Sequence, residues 1–487
     1  MTFEDAPETS YQRHQRIGLL LGPLVALIMY LAPHPEGLQP AGWMTAIIAV
    51  WMAIWWVTEA LPLAATALLV LVMLPLLGVS DFRTTATPFA HPIVFLFLGG
   101  FMVAIAMQRW NLHRRIALHV LVRSGVSQTR LLAGVMIATA MISMWISNTA
   151  TAMMMMPIAL SLATFSSADR SGKTQNMFAA ALMLATAYAA SIGGLSTLVG
   201  STPNALVAAF MSQTYGYDIG FAQWMLMGLP VTCLMLPFTW FILSKVVFKL
   251  ESATDGVPTG SLQKALDDIG PITTPERRVA AVFGLVAGLW MFRPFLPDGL
   301  GLDLLSDSGI AILGTVLLFL IPAGRTRGEF LLDWHSAKEA PFDLLILFGG
   351  GLSLAQAVDH TGLATWIGEA LSVFGTLPLV LLVAATAALI ISLTELTSNT
   401  ATAAAFLPVV GAVAIEAGLP PQFLTLPAAL AATCAFMLPV ATPPNAIVFG
   451  SGAVKVGQMI RAGIWLNLAG IGVITLMVIL LGDVLFS

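Results

Sequence analysis

Residues 146–157 read ISNTATAMMMMP, and residues 397–408 read TSNTATAAAFLP. The polar hexapeptide SNTATA therefore occurs twice, 251 residues apart, with Pro157 and Pro408 at the same distance after each copy. Both copies interrupt long apolar stretches. Two further interruptions keep the same order, GSTPN at 200–204 and ATPPN at 441–445. Ahead of each hexapeptide, LFLGGF (96–101) is answered by ILFGGG (346–351). A chain that repeats its signatures in one order is built from two halves.

The solvent of those halves follows from composition. The chain has 487 residues, 58% of them hydrophobic and only 9% charged, with a mean hydropathy of +0.89. Soluble domains carry about 25% charged residues. Apolar runs of roughly 20 residues, enough to cross a hydrocarbon core of about 30 Å, recur from end to end. The expectation is an all-α polytopic protein of the cell membrane, solvated by the lipid bilayer. A net charge of −4 gives no reason to expect nucleic acid. Cys233 and Cys434 both lie in apolar spans, so no disulfide or metal framework is expected. The opening MTFEDAPETSYQRHQR is polar and acidic, unlike a cleavable signal with its basic start, so the first apolar span reads as a retained helix.

If the SNTATA segments (around 131–165 and 377–415) are re-entrant hairpins, eleven crossings remain. With the N-terminus cytoplasmic, 19 of the 21 lysines and arginines then fall inside, leaving Arg83 and Arg293 outside. That is the asymmetry the positive-inside rule requires, and reading either hairpin as a single crossing destroys it. The predicted organisation is a cytoplasmic tail (1–16), a first repeat with N-terminal scaffold helices (17–249), a cytoplasmic linker (250–276) and a second repeat (277–487). The two hairpins enter from opposite sides, the inverted repeat of many secondary transporters. Arg109 to Arg130 reads as one basic amphipathic helix on the inner surface.

Backbone groups cannot stay unpaired in hydrocarbon, so a broken membrane helix must line protein or water. Ser, Asn and Thr cap helix N-termini. An SNT tip ends one half-helix with carbonyls suited to a cation and begins another with N–H groups suited to an anion. A single SNT is ordinarily interhelical glue; two identical copies, each with a PN-containing break, point to a site. No lysine, arginine or histidine occurs in 131–169, 177–244 or 361–454. A multivalent anion held there needs compensation from bound cations, and hydroxyl, amide and carbonyl oxygens suit a hard cation such as sodium. The economical reading is symport of a small dianion with sodium.

These tips, together with WWVTEALP (55–62) and the two breaks, resemble the divalent-anion/sodium symporter family, which includes di- and tricarboxylate carriers. The resemblance runs from about residue 17 to the end. It implies eleven membrane helices, two hairpins, a homodimer joined through scaffold domains, and an elevator-type moving transport domain. It implies one sodium site from Ser143, Ser147, Asn148 and the backbone of Gly200. A second would use Thr394, Thr397, Asn399 and the backbone of Ala441, with position 397 serving through its carbonyl. The substrate carboxylates are expected at Ser147, Asn148 and Thr149 and at Ser398, Asn399 and Thr400. Ser201, Thr202, Thr442 and Pro443 would complete the pocket.

Glu395, four residues before Asn399, either borders the second sodium site, titrates with transport, or is a structural carboxylate bonded to backbone; all three stay open. Glu59 reads as a cap at a turn, Met153 to Met156 as adaptable packing, and Trp51, Trp55 and Trp56 as interface or scaffold packing. Among functions, sodium-coupled uptake of succinate, malate or fumarate is expected. The alternatives are sodium-independent dicarboxylate exchange, or sodium-coupled carriage of citrate or sulfate. A membrane enzyme is disfavoured, because neither HExxH nor GxSxG occurs. No cofactor beyond sodium as coupling ion is expected.

Overall fold

A computed structural model describes residues 13–125, 127–165, 172–250, 259–293, 305–324, 328–370 and 377–486. Every regular element among the described residues is a helix, apart from one isolated bridge between Pro322 and Phe330. The N-terminal helices are α1 (Arg13–Leu31), α2 (Pro40–Thr58), α3 (Leu63–Ala67), α4 (Leu69–Leu76), α5 (Phe82–Ala86), α6 (Pro92–Arg109) and α7 (Leu112–Ser124). The hairpin arms α8 (Gln128–Ser143) and α9 (Asn148–Phe165) follow, then α10 (Gly172–Gly194), α11 (Thr202–Tyr215) and α12 (Phe221–Phe241).

The second half runs through α13 (Thr259–Ile269), α14 (Thr274–Phe292), α15 (Asp307–Leu320), α16 (Trp334–Ala337), α17 (Phe342–His360) and α18 (Leu363–Ala370). Its hairpin arms are α19 (Leu379–Thr394) and α20 (Asn399–Glu416), followed by α21 (Gln422–Ala432), α22 (Pro443–Gly450) and α23 (Val456–Phe486). Eight described helices are long and apolar enough to cross a membrane, and one of them is the hairpin arm α20. Both arms of the first hairpin, like α21, are shorter apolar helices.

The two hairpins are built alike. Arms α8 and α9 both pack on α10, while α19 and α20 both pack on α21. The halves then interlock: α9 packs on α22, and α20 packs on α11. Small residues permit this. A Cβ on Gly193 would lie 2.5 Å from Ala140 O, and one on Gly228 would lie 2.2 Å from Leu195 O. Close backbone approach of this kind drives helix association in lipid, where apolar side chains gain nothing by leaving the bilayer.

Several expectations change. The basic stretch 109–130 is not one surface helix: α7 stops at Gly125, and α8 starts after the Ser127 cap. Arg115 turns inward, 9% exposed. It pairs with Glu276 at 3.1 Å and donates to Gly270 O and Pro271 O at 2.9 and 3.3 Å. The stretch 250–276, read as a linker, contains α13, and α14 already begins inside it with a Thr273–Glu276 capping box. Residues 251–258 of that linker and the tail before Arg13 lie outside the described residues. Trp51 and Trp55 meet edge to face at 5.2 Å, beside Gly22 of α1. Trp56 is fully buried and donates to Leu63 O at 3.2 Å. All three pack against helices or turns of this chain. Met155 is buried while Met153 is exposed, so the methionine run spans from packing face to outer face.

The Arg115–Glu276 pair ties α7 of the first half to the start of α14 in the second. Removing one partner of a buried pair leaves an uncompensated charge, which costs about 3–5 kcal/mol. Glu276→Ala is therefore expected to lower the unfolding temperature of the detergent-purified protein clearly, and the double variant R115M/E276L should recover most of the loss.

Candidate functional site

The four breaks converge on one cavity of about 650 Å³. From the first half its wall takes Ser147, Asn148, Thr149, Gly200, Ser201 and Thr202; from the second, Ser398, Asn399, Thr400, Ala441, Thr442 and Pro443. Every side chain expected to touch substrate is on that wall. Ser143 and Thr394 lie behind it, fully buried. Thr397 is half-buried, and its hydroxyl bonds Leu393 O at 3.0 Å and Thr402 Oγ1 at 2.6 Å. Its side chain is thus occupied within its own tip.

Behind each tip sits the same cluster. Ser143 Oγ lies 2.7 Å from both Asn148 Oδ1 and Ala190 O. Thr394 Oγ1 lies 2.8 Å from both Asn399 Oδ1 and Ala432 O. One hydroxyl proton cannot serve two acceptors. In the first cluster the Asn148 amide also meets Gly200 O at 3.2 Å and Ala190 O at 2.9 Å. With nothing else present, its NH2 end belongs there, donating to those oxygens. With Oδ1 turned in, four oxygens share a single proton, an arrangement a hard cation stabilises. The donor set fits sodium.

The breaks themselves are braced symmetrically. Asn204 Nδ2 donates to Gly194 O and Thr197 O at 2.9 and 2.8 Å. Asn445 Nδ2 donates to Ala435 O and Leu438 O at 3.2 and 3.0 Å. Each asparagine reaches back ten and seven residues, so the internal repeat extends to individual hydrogen bonds. Ser201 Oγ and Thr433 Oγ1, 2.9 Å apart, link one break to the other. Gly194 and Gly200 press together: a Cβ on Gly194 would lie 2.3 Å from Asn148 Oδ1 and 2.9 Å from Gly200 O.

Capping differs between tips. Ser147 accepts from Ala150 N at 3.4 Å, whereas Ser398 holds the N-cap position without a side-chain cap bond. The opposite wall comes from Leu63, Phe97, Phe101 and Leu344, with Glu59 the one ionisable residue among the described lining residues. Glu59 closes α2 in a left-handed conformation (φ 47°), as a turn cap does, and also lines the mouth. Among the described residues no lysine, arginine or histidine is on the wall.

The asparagines of the two PN pairs carry a bracing role that the motif alone did not reveal. Phe97 and Phe101 of the LFLGGF repeat also line the site. The signal for the asparagines was present, since only those two polar residues recur immediately after the prolines. The Ala190 and Ala432 carbonyls carry no signal in side-chain identity.

An all-helical polytopic chain with paired hairpin tips and paired broken helices around one cavity defines a secondary transporter of the inverted-repeat class. The sodium:sulfate symporter transmembrane region matches residues 13–487, and the chain belongs to that family. It is 41% identical to a sodium-dependent dicarboxylate transporter SdcS of Staphylococcus saprophyticus, over 98% of this chain and 93% of the relative. It is 42% identical to SdcS of Staphylococcus aureus strain USA300, over 95% and 90%. The crystal structure of the Alcanivorax borkumensis YdaH transporter has the same fold, with a TM-score of 0.57 at 16% identity, over 91% of this chain and 99% of that one.

Alanine at position 194 is the more favourable helix residue by about 1 kcal/mol, yet its methyl collides with the Asn148 amide. Gly194→Ala is expected to reach the membrane in normal amount and to lose transport. Wild-type uptake in this variant would show that the two glycines and the amide do not form one site.

Proposed function

We propose that the chain is a secondary active symporter that carries a small dicarboxylate, of the succinate, malate or fumarate class, across the cell membrane with sodium. One observation carries this reading. A single cavity is bounded on both sides by hydroxyl–amide–carbonyl clusters and has no cationic side chain on its wall. The charge of a dianion there is left to co-bound cations, because uncompensated burial is prohibitive. The names of the relatives at 41–42% identity support both sodium and dicarboxylate.

In this reading Ser143, Ser147, Asn148 and the Gly200 carbonyl hold one sodium. Thr394, the Thr397 carbonyl, Asn399 and the Ala441 carbonyl hold the other. The substrate carboxylates meet the hydroxyls and amides of 147–149 and 398–400, with Ser201, Thr202, Thr442 and Pro443 closing the pocket. Sodium loads first and orders the tips. The tips then travel together against the scaffold in an elevator-like step, within a homodimer whose N-termini are cytoplasmic. The interlock of α9 with α22 and α20 with α11 supports movement as one body. Orientation rests on the charge asymmetry, and the dimer on the family resemblance.

The family description favours one second reading, with sulfate as the anion. Liposomes reconstituted with the protein separate these readings. Labelled succinate is expected to accumulate under an inward sodium gradient and not under potassium. Malate and fumarate should compete more strongly than sulfate or citrate. Accumulation driven only by internal dicarboxylate would replace symport with exchange. Asn148→Ala and Asn399→Ala should each lower uptake at least about tenfold, equivalent to roughly 1.4 kcal/mol, with expression retained.

A further inference from the structure

The two cation clusters are related by the repeat, but their surroundings are not. Thr394 is followed by Glu395 where Ser143 is followed by Met144. Glu395 is 5% exposed. Its Oε1 accepts from Phe436 N at 2.8 Å, Met437 N at 2.9 Å and Asn467 Nδ2 at 2.7 Å. Its Oε2 accepts from Met437 N and Leu438 N, both at 3.1 Å. Three consecutive backbone N–H groups therefore converge on one carboxylate, a nest of the kind that holds anions. Such charge-assisted bonds are roughly twice as strong as neutral ones.

The need for the carboxylate arises from the backbone. The asparagine braces equate Gly194 with Ala435. Helix α10 runs to Gly194, but α21 stops at Ala432, three residues short of the equivalent point. In the first half the chain past the helix holds itself: Leu195 N donates to Ile192 O at 3.2 Å and Ser196 N to Gly193 O at 3.1 Å. In the second half the equivalent turn has unwound, and Glu395 receives its N–H groups. The other side of the loop is also tied. Tyr188 Oη, from the first half, donates to Phe436 O at 2.8 Å, and Asn445 holds Leu438 O. Ala441 N then donates to Leu438 O at 3.2 Å, which ties Ala441 to the same loop.

We propose that Glu395 is the positioning residue of the second sodium site. It fixes the 436–441 loop that aims the Ala441 carbonyl. It also places a buried negative charge on the residue that follows Thr394 in the chain, which makes this site the tighter of the two and the first to fill. Among the described residues the buried histidines, arginines and carboxylates are His113, Arg115, Glu276 and Glu395, and of these only Glu395 belongs to a hairpin or broken helix. The first site has no counterpart. This inference deepens the proposed function and rests on it.

Glu395→Gln tests it, because both carboxylate oxygens face donors and an amide must turn its own NH2 towards one set of them. Succinate uptake into proteoliposomes is measured against sodium concentration, and against succinate at saturating sodium. The expected result is at least a tenfold rise in the sodium concentration for half-maximal uptake, with succinate KM at saturating sodium changed less than threefold. A purely structural role would instead lower the maximal rate with sodium dependence intact, and that outcome overturns the proposal. If Glu395→Gln does not fold, Asn467→Leu removes one donor to Oε1 and is expected to raise the sodium requirement about threefold; an unchanged requirement overturns the proposal equally. If wild-type uptake ignores sodium, the symport reading falls and takes this inference with it. Sodium-dependent wild-type uptake with an unaltered Glu395→Gln removes this inference alone.

Discussion

A helix broken inside a membrane must find partners for its own peptide groups, each worth several kcal/mol if left bare in hydrocarbon. Most of this structure follows from meeting that requirement four times. At 144–147 and 395–398 the chain turns between hairpin arms; at 195–201 and 433–442 it unwinds between helix halves. Asn204 and Asn445 each close two carbonyls of an unwound segment. Thr197 Oγ1 reaches Met144 O and accepts from Gly200 N, joining one unwound segment to the neighbouring hairpin tip. The polar side chains of the motifs are therefore spent largely on the backbone, and the oxygens that remain are directed at the cavity.

Satisfying four breaks in one place requires the backbones to be close, and that explains the small-residue composition around them. Gly463 of α23 lets that helix approach to where a Cβ would be 2.4 Å from Phe436 O. Gly193, Gly194 and Gly228 do the same around the first break. Helices α10 and α21 are rich in alanine and buried across nearly all their described side chains. Tight backbone packing leaves few rotamers to adjust, so tips and breaks are held as one rigid group. A site made of weak neutral ligands depends on that rigidity, because each oxygen must already be in place when the ion arrives.

The parts of this arrangement that were legible in the sequence are those written in side-chain identity and repeated. Two SNTATA copies and two PN pairs announced the hairpins, the breaks and the cavity wall. What stayed hidden was written in backbone atoms or in distant partners. The Ala190 and Ala432 carbonyls belong to unremarkable alanines in apolar runs. Arg115 looked like a surface residue because its neighbours Arg114, Arg123 and Arg130 are basic too, and its carboxylate partner Glu276 is 161 residues away. Helix α13 was obscured by the prolines and glycines around it in the linker. The three roles open for Glu395 could not be separated without knowing that Phe436, Met437 and Leu438 had lost their helical acceptors.

Coupling then needs no separate device. In a cavity with no lysine, arginine or histidine among the described residues of its wall, a doubly charged anion bound as proposed would gain its stabilisation from cations beside it, and each cation would be stabilised by the anion in turn. Linkage makes the two effects equal: whatever factor sodium adds to substrate affinity, substrate adds to sodium affinity. A cationic side chain at the tips would weaken this coupling, since the anion would then bind well without its ions and could cross alone. The absence of basic residues over 131–169, 177–244 and 361–454 is therefore a functional feature. It keeps the substrate dependent on sodium, and in the positioning role proposed for it the buried Glu395 carboxylate adds negative charge where a cation is wanted.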